Sequence, residues 1–243
     1  DLQTKFAASL VPEKFTTPMD EMYWLPALKW MLAQDAPMPE IGKADPLPDS
    51  PAHKRIVDLF VKAVSGGVDG RLRSQALSMA ADVNVRRHPA IEPALKKALP
   101  AYYEPEPAEV TAMPAEWKRN WEYFRDHVAP EMTRVNREDQ QACLGCHGVA
   151  GRVPSLELNP ADDRGYVKQP QLYANYKKLV ERVDERNVEQ SKILRKPLNV
   201  QTGQEDGHQG GRRYNPGDRP YQILKKWAFD TATLKRASGT PSN

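Results

Sequence analysis

The chain has 243 residues, of which 35 are basic and 32 acidic for a formal net charge of +3, and 40% are hydrophobic. That length and apolar share suffice for a packed core in one or two domains, and the near balance of charges spread along the chain gives no nucleic-acid footprint. No run of about eighteen apolar residues occurs, so no segment is expected to span a bilayer, and 22 prolines against 14 glycines predict stiff, ordered connections.

The chain starts at Asp1 without a basic and apolar leader, as either a mature product or a trimmed chain would, so its start neither shows nor excludes an export signal. Asp20 is placed to cap a helix in which Met22, Leu25, Leu28 and Leu32 recur at helical spacing as far as about Asp35. A proline-rich connector, "APMPEIGKADPLPDSP", runs from Ala36 to Pro51. Three short helical patterns follow: Ile56, Leu59, Phe60 and Val64; then Leu72, Ala76, Leu77 and Ala80; then Ile91, Leu95 and Leu99. Gly66, Gly67 and Gly70, and the stretch from Arg87 to Pro89, mark their ends. Over about fifty residues the pattern is similar to a short run of HEAT-type helical repeats, which bury their apolar faces by stacking on neighbours.

A second proline cluster, "PAYYEPEPAEVTAMP", ends at Pro114 and divides a helical docking or repeat-like domain, residues 1–113, from a second domain, residues 114–243. Beyond it Trp117, Trp121, Phe124 and Val128 form a bulky helical face, and Leu172, Tyr176, Leu179 and Val183 form another. A closing helix carries Tyr221, Leu224, Trp227 and Ala228 on one side. No strand alternation extends over six residues, so the fold class is mainly α.

Both cysteines fall in "DQQACLGCHGVAG", as Cys143 and Cys146, with His147 immediately after. Three chemistries use such a pair. A redox dithiol of the thioredoxin type needs a strand before it and a helix after it, within alternating strands and helices that this chain lacks. A tetrahedral zinc site would need two further ligands from His53, His88, His127, His147 and His208, because a second close-spaced pair is missing. Cys-x-x-Cys-His is also the attachment pattern for c-type haem: two intervening residues let both sulfurs reach one porphyrin edge, and the adjacent histidine falls beneath the iron as proximal ligand. In this last reading each of the three residues has a task, with the zinc site and the dithiol or plain disulfide as its alternatives.

The motif is followed by Ser191, Leu194, Lys196 and Pro197, then His208, Gly210 and Gly211, then Asp218, Tyr221, Leu224 and Trp227. From about Pro114 to Arg236 this order resembles the mono-haem cytochrome c domains of the planctomycete and acidobacterial type, with Gln209 interrupting the glycine run found there. The resemblance implies a cytochrome c-like domain carrying one covalent haem c.

No methionine occurs after Met132, so a methionine sixth ligand would have to precede the motif, as Met132, Met113 or one of the N-terminal group. His208, sixty-one residues after His147 in a glycine-rich turn, is the favoured distal ligand, with Met132 as the alternative. Trp121, Phe124, Tyr176, Tyr221 and Trp227 are candidates for a haem wall or for helix packing, and Arg152, Lys196, Arg212 and Arg213 for pairing with propionates. The expected function is electron transfer without substrate chemistry, so no catalytic residue is assigned. The chain would serve as a subunit of a larger complex with redox protein partners, in the periplasm or outside the cell, where haem is normally attached. Its rivals are a haem enzyme or gas sensor with an open distal face, and a scaffold whose haem is structural.

Overall fold

The three- and four-residue spacing of apolar side chains is realised as helices, and no strand occurs among the described residues. The computed structural model describes residues 38–43, 51–67, 70–81, 83–133, 142–163, 165–200, 207–208 and 210–239. The helix expected from Asp20 to Asp35 lies outside them. The chain forms two compact units: residues 51–104 belong to one, and Met38–Lys43 with the residues from Pro105 onward belong to the other. The helix at Ala108–Thr111, ahead of Pro114, thus sits with the C-terminal unit, where Val110 enters the core.

In the first unit, α1 (Pro51–Ser65) packs against α2 (Gly70–Ser78) and, beyond the short α3 (Val83–Arg86), against α4 (Glu92–Ala98). Ile56, Phe60, Ala63 and Val64 of α1 are buried with Leu72, Ala76, Ile91 and Leu95. Gly66 ends α1 at φ +88°, with Gly66 N–H donating to Ala63 O at 3.2 Å and Gly67 N–H to Lys62 O at 3.1 Å. This is the double bond of a Schellman cap, which requires a left-handed residue.

Two histidines are buried in this unit. Ala90 N–H donates to His88 Nδ1 at 3.3 Å, which places the His88 proton on Nε2, and that nitrogen lies 3.2 Å from His53 Nε2. Burial lowers the His88 pKa below the ordinary value, and the neighbouring His53 adds to the effect. A base whose folded pKa is lowered contributes fully above its unfolded value, about 6.5, and that stability is lost as pH falls through the folded value. The thermal midpoint of the full chain should therefore fall below about pH 6.5, and His88→Gln should flatten the decline. Parallel curves for the two proteins would mean that this histidine pair does not titrate on unfolding.

The second unit is built on one helical rod, from α6 (Ala115–Tyr123) through a π-helical turn (Phe124–Val128) into α7 (Ala129–Thr133), after the single turn α5 (Ala108–Thr111). Next come α8 (Cys143–His147), α9 (Gln169–Glu181), α10 (Lys192–Arg195) and the closing α11 (Arg219–Ala237). Trp121, Phe124, Tyr176 and Trp227 pack on one another with ring centres 5.3 to 6.2 Å apart, so these rings serve helix-on-helix packing. Trp117 is partly buried against the same cluster.

Inside that aromatic core lies fully buried Asn120. Its Oδ1 accepts from the Tyr176 hydroxyl at 2.9 Å and from Trp227 Nε1–H at 3.0 Å, and its Nδ2 donates to Asp230 at 2.7 Å and Thr231 at 3.1 Å. Burial pushes the Tyr176 pKa far above the ordinary value, so its hydroxyl is a permanent donor. One amide thus joins α6, α9 and α11. Asn120→Leu would strand at least two buried donors, so we expect a loss of about 2 to 4 kcal/mol in urea unfolding followed by tryptophan fluorescence.

Candidate functional site

The cysteine motif folds as the single helical turn α8, entered from extended Ala142. Residues three apart share one helix face, so Cys143 and Cys146 lie on the same side of α8, while Leu144 is buried in the core of the unit. Both cysteines are half-buried thiols. Burial pushes the Cys143 thiol pKa up, against the opposing effect of the Tyr214 hydroxyl, 4.0 Å from its sulfur, and of Arg213. A raised thiol pKa is the reverse of what an activated thiolate needs.

His147 closes the turn, and its Nδ1–H donates to the Leu156 carbonyl at 2.9 Å. That carbonyl belongs to a strap laid along α9. Asn159 N–H donates to Asn175 Oδ1 at 2.6 Å, Asn175 Nδ2 donates back to Asn159 O at 3.0 Å, and Lys178 Nζ donates to Glu157 O at 2.6 Å. Leu158 N–H donates in turn to His147 O at 2.7 Å. Between strap and helix, a Cβ added at Gly148 would lie 2.6 Å from Leu144 O and 3.0 Å from Pro160 Cα. The glycine after the histidine is therefore required by backbone approach.

His208 stands opposite. Its ring is parallel to that of His147 within 6°, with centroids 6.2 Å apart. Its Nδ1–H donates to Gly211 O at 2.8 Å, so Nδ1 of each ring is occupied by a backbone carbonyl and Nε2 is the basic nitrogen of both. An imidazole nitrogen bound about 2.0 Å from a metal ion lies about 1.1 Å from its own ring centre, so two rings ligating one ion from opposite sides are centred roughly 6 Å apart. The centroid separation equals that spacing, and each ring has a backbone-carbonyl tether of the kind metal-ligating histidines use. Burial lowers the His208 pKa, opposed by the Gly211 bond and assisted by His147, Arg213 and Lys196, which favours the neutral imidazole that a metal needs.

The other candidates fall elsewhere. Met132 and Met113 pack against the hydrophobic cluster, Met38 is exposed, and Met19, Met22 and Met31 lie outside the described residues. His53 and His88 pair with each other, and His127 lies against Tyr123 with ring centres 4.9 Å apart. Among the described residues no three or more histidine, cysteine, aspartate or glutamate side chains form a group that could hold a metal ion. A porphyrin would supply four nitrogens of its own, so two side chains such as His147 and His208 would suffice to complete the coordination of its iron. Of the cations, Lys196 Nζ reaches Gly207 O at 3.5 Å, the Arg213 guanidinium bonds Gly210 O, Arg152 lies 3.5 Å from Gly145 O, and Arg212 is exposed. Lys196 and Arg213 therefore flank the loop that carries His208.

Sequence reasoning missed Asn199, Leu156 and the Asn159–Asn175 pair. Backbone carbonyls carry no sequence signal, and an asparagine pair sixteen residues apart has no periodic signature.

Compared with known proteins, the chain matches no family model, no curated sequence and no solved structure. Among the described residues no helix is long and apolar enough to cross a membrane.

Gly148→Ala should destabilise this unit by about 1 to 3 kcal/mol, because neither the Leu144 carbonyl nor the Pro160 backbone can yield without displacing the strap. Urea unfolding of the variant beside the parent measures it.

Proposed function

We propose that the C-terminal unit is a mono-haem c-type cytochrome domain with two histidine axial ligands, and that its function is electron transfer. The observation that carries this reading is the parallel, carbonyl-tethered pair of His147 and His208, standing next to a Cys-x-x-Cys-His turn. Haem supplies, when bound, a one-electron iron couple. The chain's residues do the rest. Cys143 and Cys146 would hold the ring to α8 through thioether links, each thiol's sulfur going to one vinyl carbon and its hydrogen to the other. His147 and His208 would hold the iron through their Nε2 atoms, with burial favouring the neutral imidazole at His208. Two imidazole ligands would favour a low reduction potential relative to histidine–methionine ligation.

Lys196 and Arg213, beside His208, are the cations best placed to meet propionate carboxylates. The first unit, with its stacked short helices similar to HEAT-type repeats, serves as a docking module for a redox protein partner or a larger complex. Covalent haem attachment points to a home in the periplasm or outside the cell. The resemblance of the Ser191–Pro197, His208–Gly211 and Asp218–Trp227 stretches to mono-haem cytochrome domains supports the same reading.

Intact mass of the exported protein should exceed that of the bare chain by about 616 Da, with a pyridine haemochrome spectrum of the two-thioether type. Replacing Cys143 and Cys146 together by alanine should abolish the covalent link. His208→Ala should convert the oxidised spectrum from low to high spin and open the reduced protein to carbon monoxide. A chain of unmodified mass, with no haem retained after denaturation, would overturn the reading.

A further inference from the structure

The loop that presents His208 begins at a helix end. The turn Lys196–Leu198 stops at Asn199, which has φ 56° and ψ 35° and is, among the described residues, the only one other than glycine at positive φ. Asn199 N–H donates to Lys196 O at 2.9 Å and Val200 N–H to Arg195 O at 3.2 Å, the bond pattern of a Schellman cap with asparagine at its left-handed position. Glycine meets that backbone requirement at least as well. What glycine lacks is the side-chain carbonyl, and here it is used: Asn199 Oδ1 accepts the His208 main-chain N–H at 2.7 Å, nine residues on.

We propose that Asn199 is the positioning residue for the distal imidazole. This rests on the reading of His147 and His208 as paired axial ligands. The His208 ring is tied through Nδ1 to Gly211 O, and Gly211, at φ +72°, returns an N–H bond of 2.7 Å to His208 O. Ring and turn therefore move as one body. A Cβ added at Gly210 would stand 3.0 Å from His208 Cε1, so the turn closes tightly on the ring. The position of that body relative to His147 is set by what anchors its main chain. On the C-terminal side, Arg213 and Tyr214 N–H groups donate to Pro197 O at 2.7 and 3.2 Å. On the N-terminal side Asn199 Oδ1 holds the His208 N–H at 2.7 Å, and Lys196 Nζ donates more weakly to Gly207 O at 3.5 Å. Both anchors converge on the turn from Lys196 to Asn199, so the distal histidine is referenced to the end of that turn, and the side-chain amide completes the reference.

The test uses the haem-loaded full chain and three variants. Asn199→Gly keeps the left-handed backbone and removes the acceptor, Asn199→Asp keeps an acceptor oxygen, and His208→Ala removes the ligand. In the parent, parallel imidazole planes should give a rhombic low-spin electron paramagnetic resonance spectrum. Asn199→Gly should show a high-spin fraction and bind carbon monoxide at least tenfold faster than the parent after reduction, while Asn199→Asp should stay within about twofold of the parent. Spin state and binding rate in Asn199→Gly equal to the parent's would reduce Asn199 to a turn residue and overturn the proposal. Should Asn199→Gly not load haem, hydrogen exchange at the His208 amide of the parent decides: slow exchange supports the bond, and exchange at the unprotected rate overturns it. A parent that binds carbon monoxide as fast as His208→Ala would instead remove the paired-ligand reading itself.

Discussion

The second unit depends on one buried amide. A helix bundle held only by apolar rings can slide, because dispersion and hydrophobic burial set little direction. Asn120 removes that freedom, since its two polar atoms face donors and acceptors on two other helices at once, each fixed in direction as well as distance. The rings of Trp121, Phe124, Tyr176 and Trp227 then fill the space around it in a single arrangement. Buried Arg125 extends the same logic at the rim, where Asp126 and Glu106 hold its guanidinium and Glu106 also accepts from Trp121 Nε1–H at 3.3 Å.

The two histidines hang from opposite parts of this frame. The helix carrying Cys143 to His147 packs against α7, the far end of the rod, and sends Leu144 into the core. The loop carrying His208 is referenced to the Lys192–Leu198 segment, which packs against α11 through buried Leu194 and is pinned where Asp184 N–H donates to Ser191 Oγ at 2.9 Å. A rigid spacing between two imidazoles therefore translates into a rigid relation between the rod and the closing helix. Burial lowers the His208 pKa, which favours its neutral imidazole, and raises that of the Cys143 thiol, which is therefore not activated as a thiolate.

Much of this was legible in the amino-acid sequence, because helical periodicity and short motifs are local. The apolar positions from Ile56 to Val64 and from Trp121 to Val128 are buried as their spacing predicts, and the glycines after α1 end it. The pairing of His208 with His147 was reachable only through motif order, since sixty-one residues separate them. What stayed hidden were single polar residues whose partners are set by tertiary structure. Asn120 sits in a helix where asparagine has a poor intrinsic propensity, and Asn199 reads as an ordinary loop residue until its φ and its bond to His208 are seen. The aromatic residues were ambiguous for a different reason: a large apolar ring suits a cofactor wall and a helix interface equally well, and only contact decides.

The π-helical turn at Phe124–Val128 has an evolutionary reading. Such a turn holds one residue more than the α-helix around it, as a single inserted residue would leave it. Excising that residue would restore an uninterrupted α-helix at a cost of rotating everything beyond it by about 100° about the axis, carrying α7 away from the cysteine-bearing turn it supports. The length of this rod is thus fixed in register to the residue, and lineages that share it should preserve the number of positions between Asn120 and Thr133 more strictly than their identities.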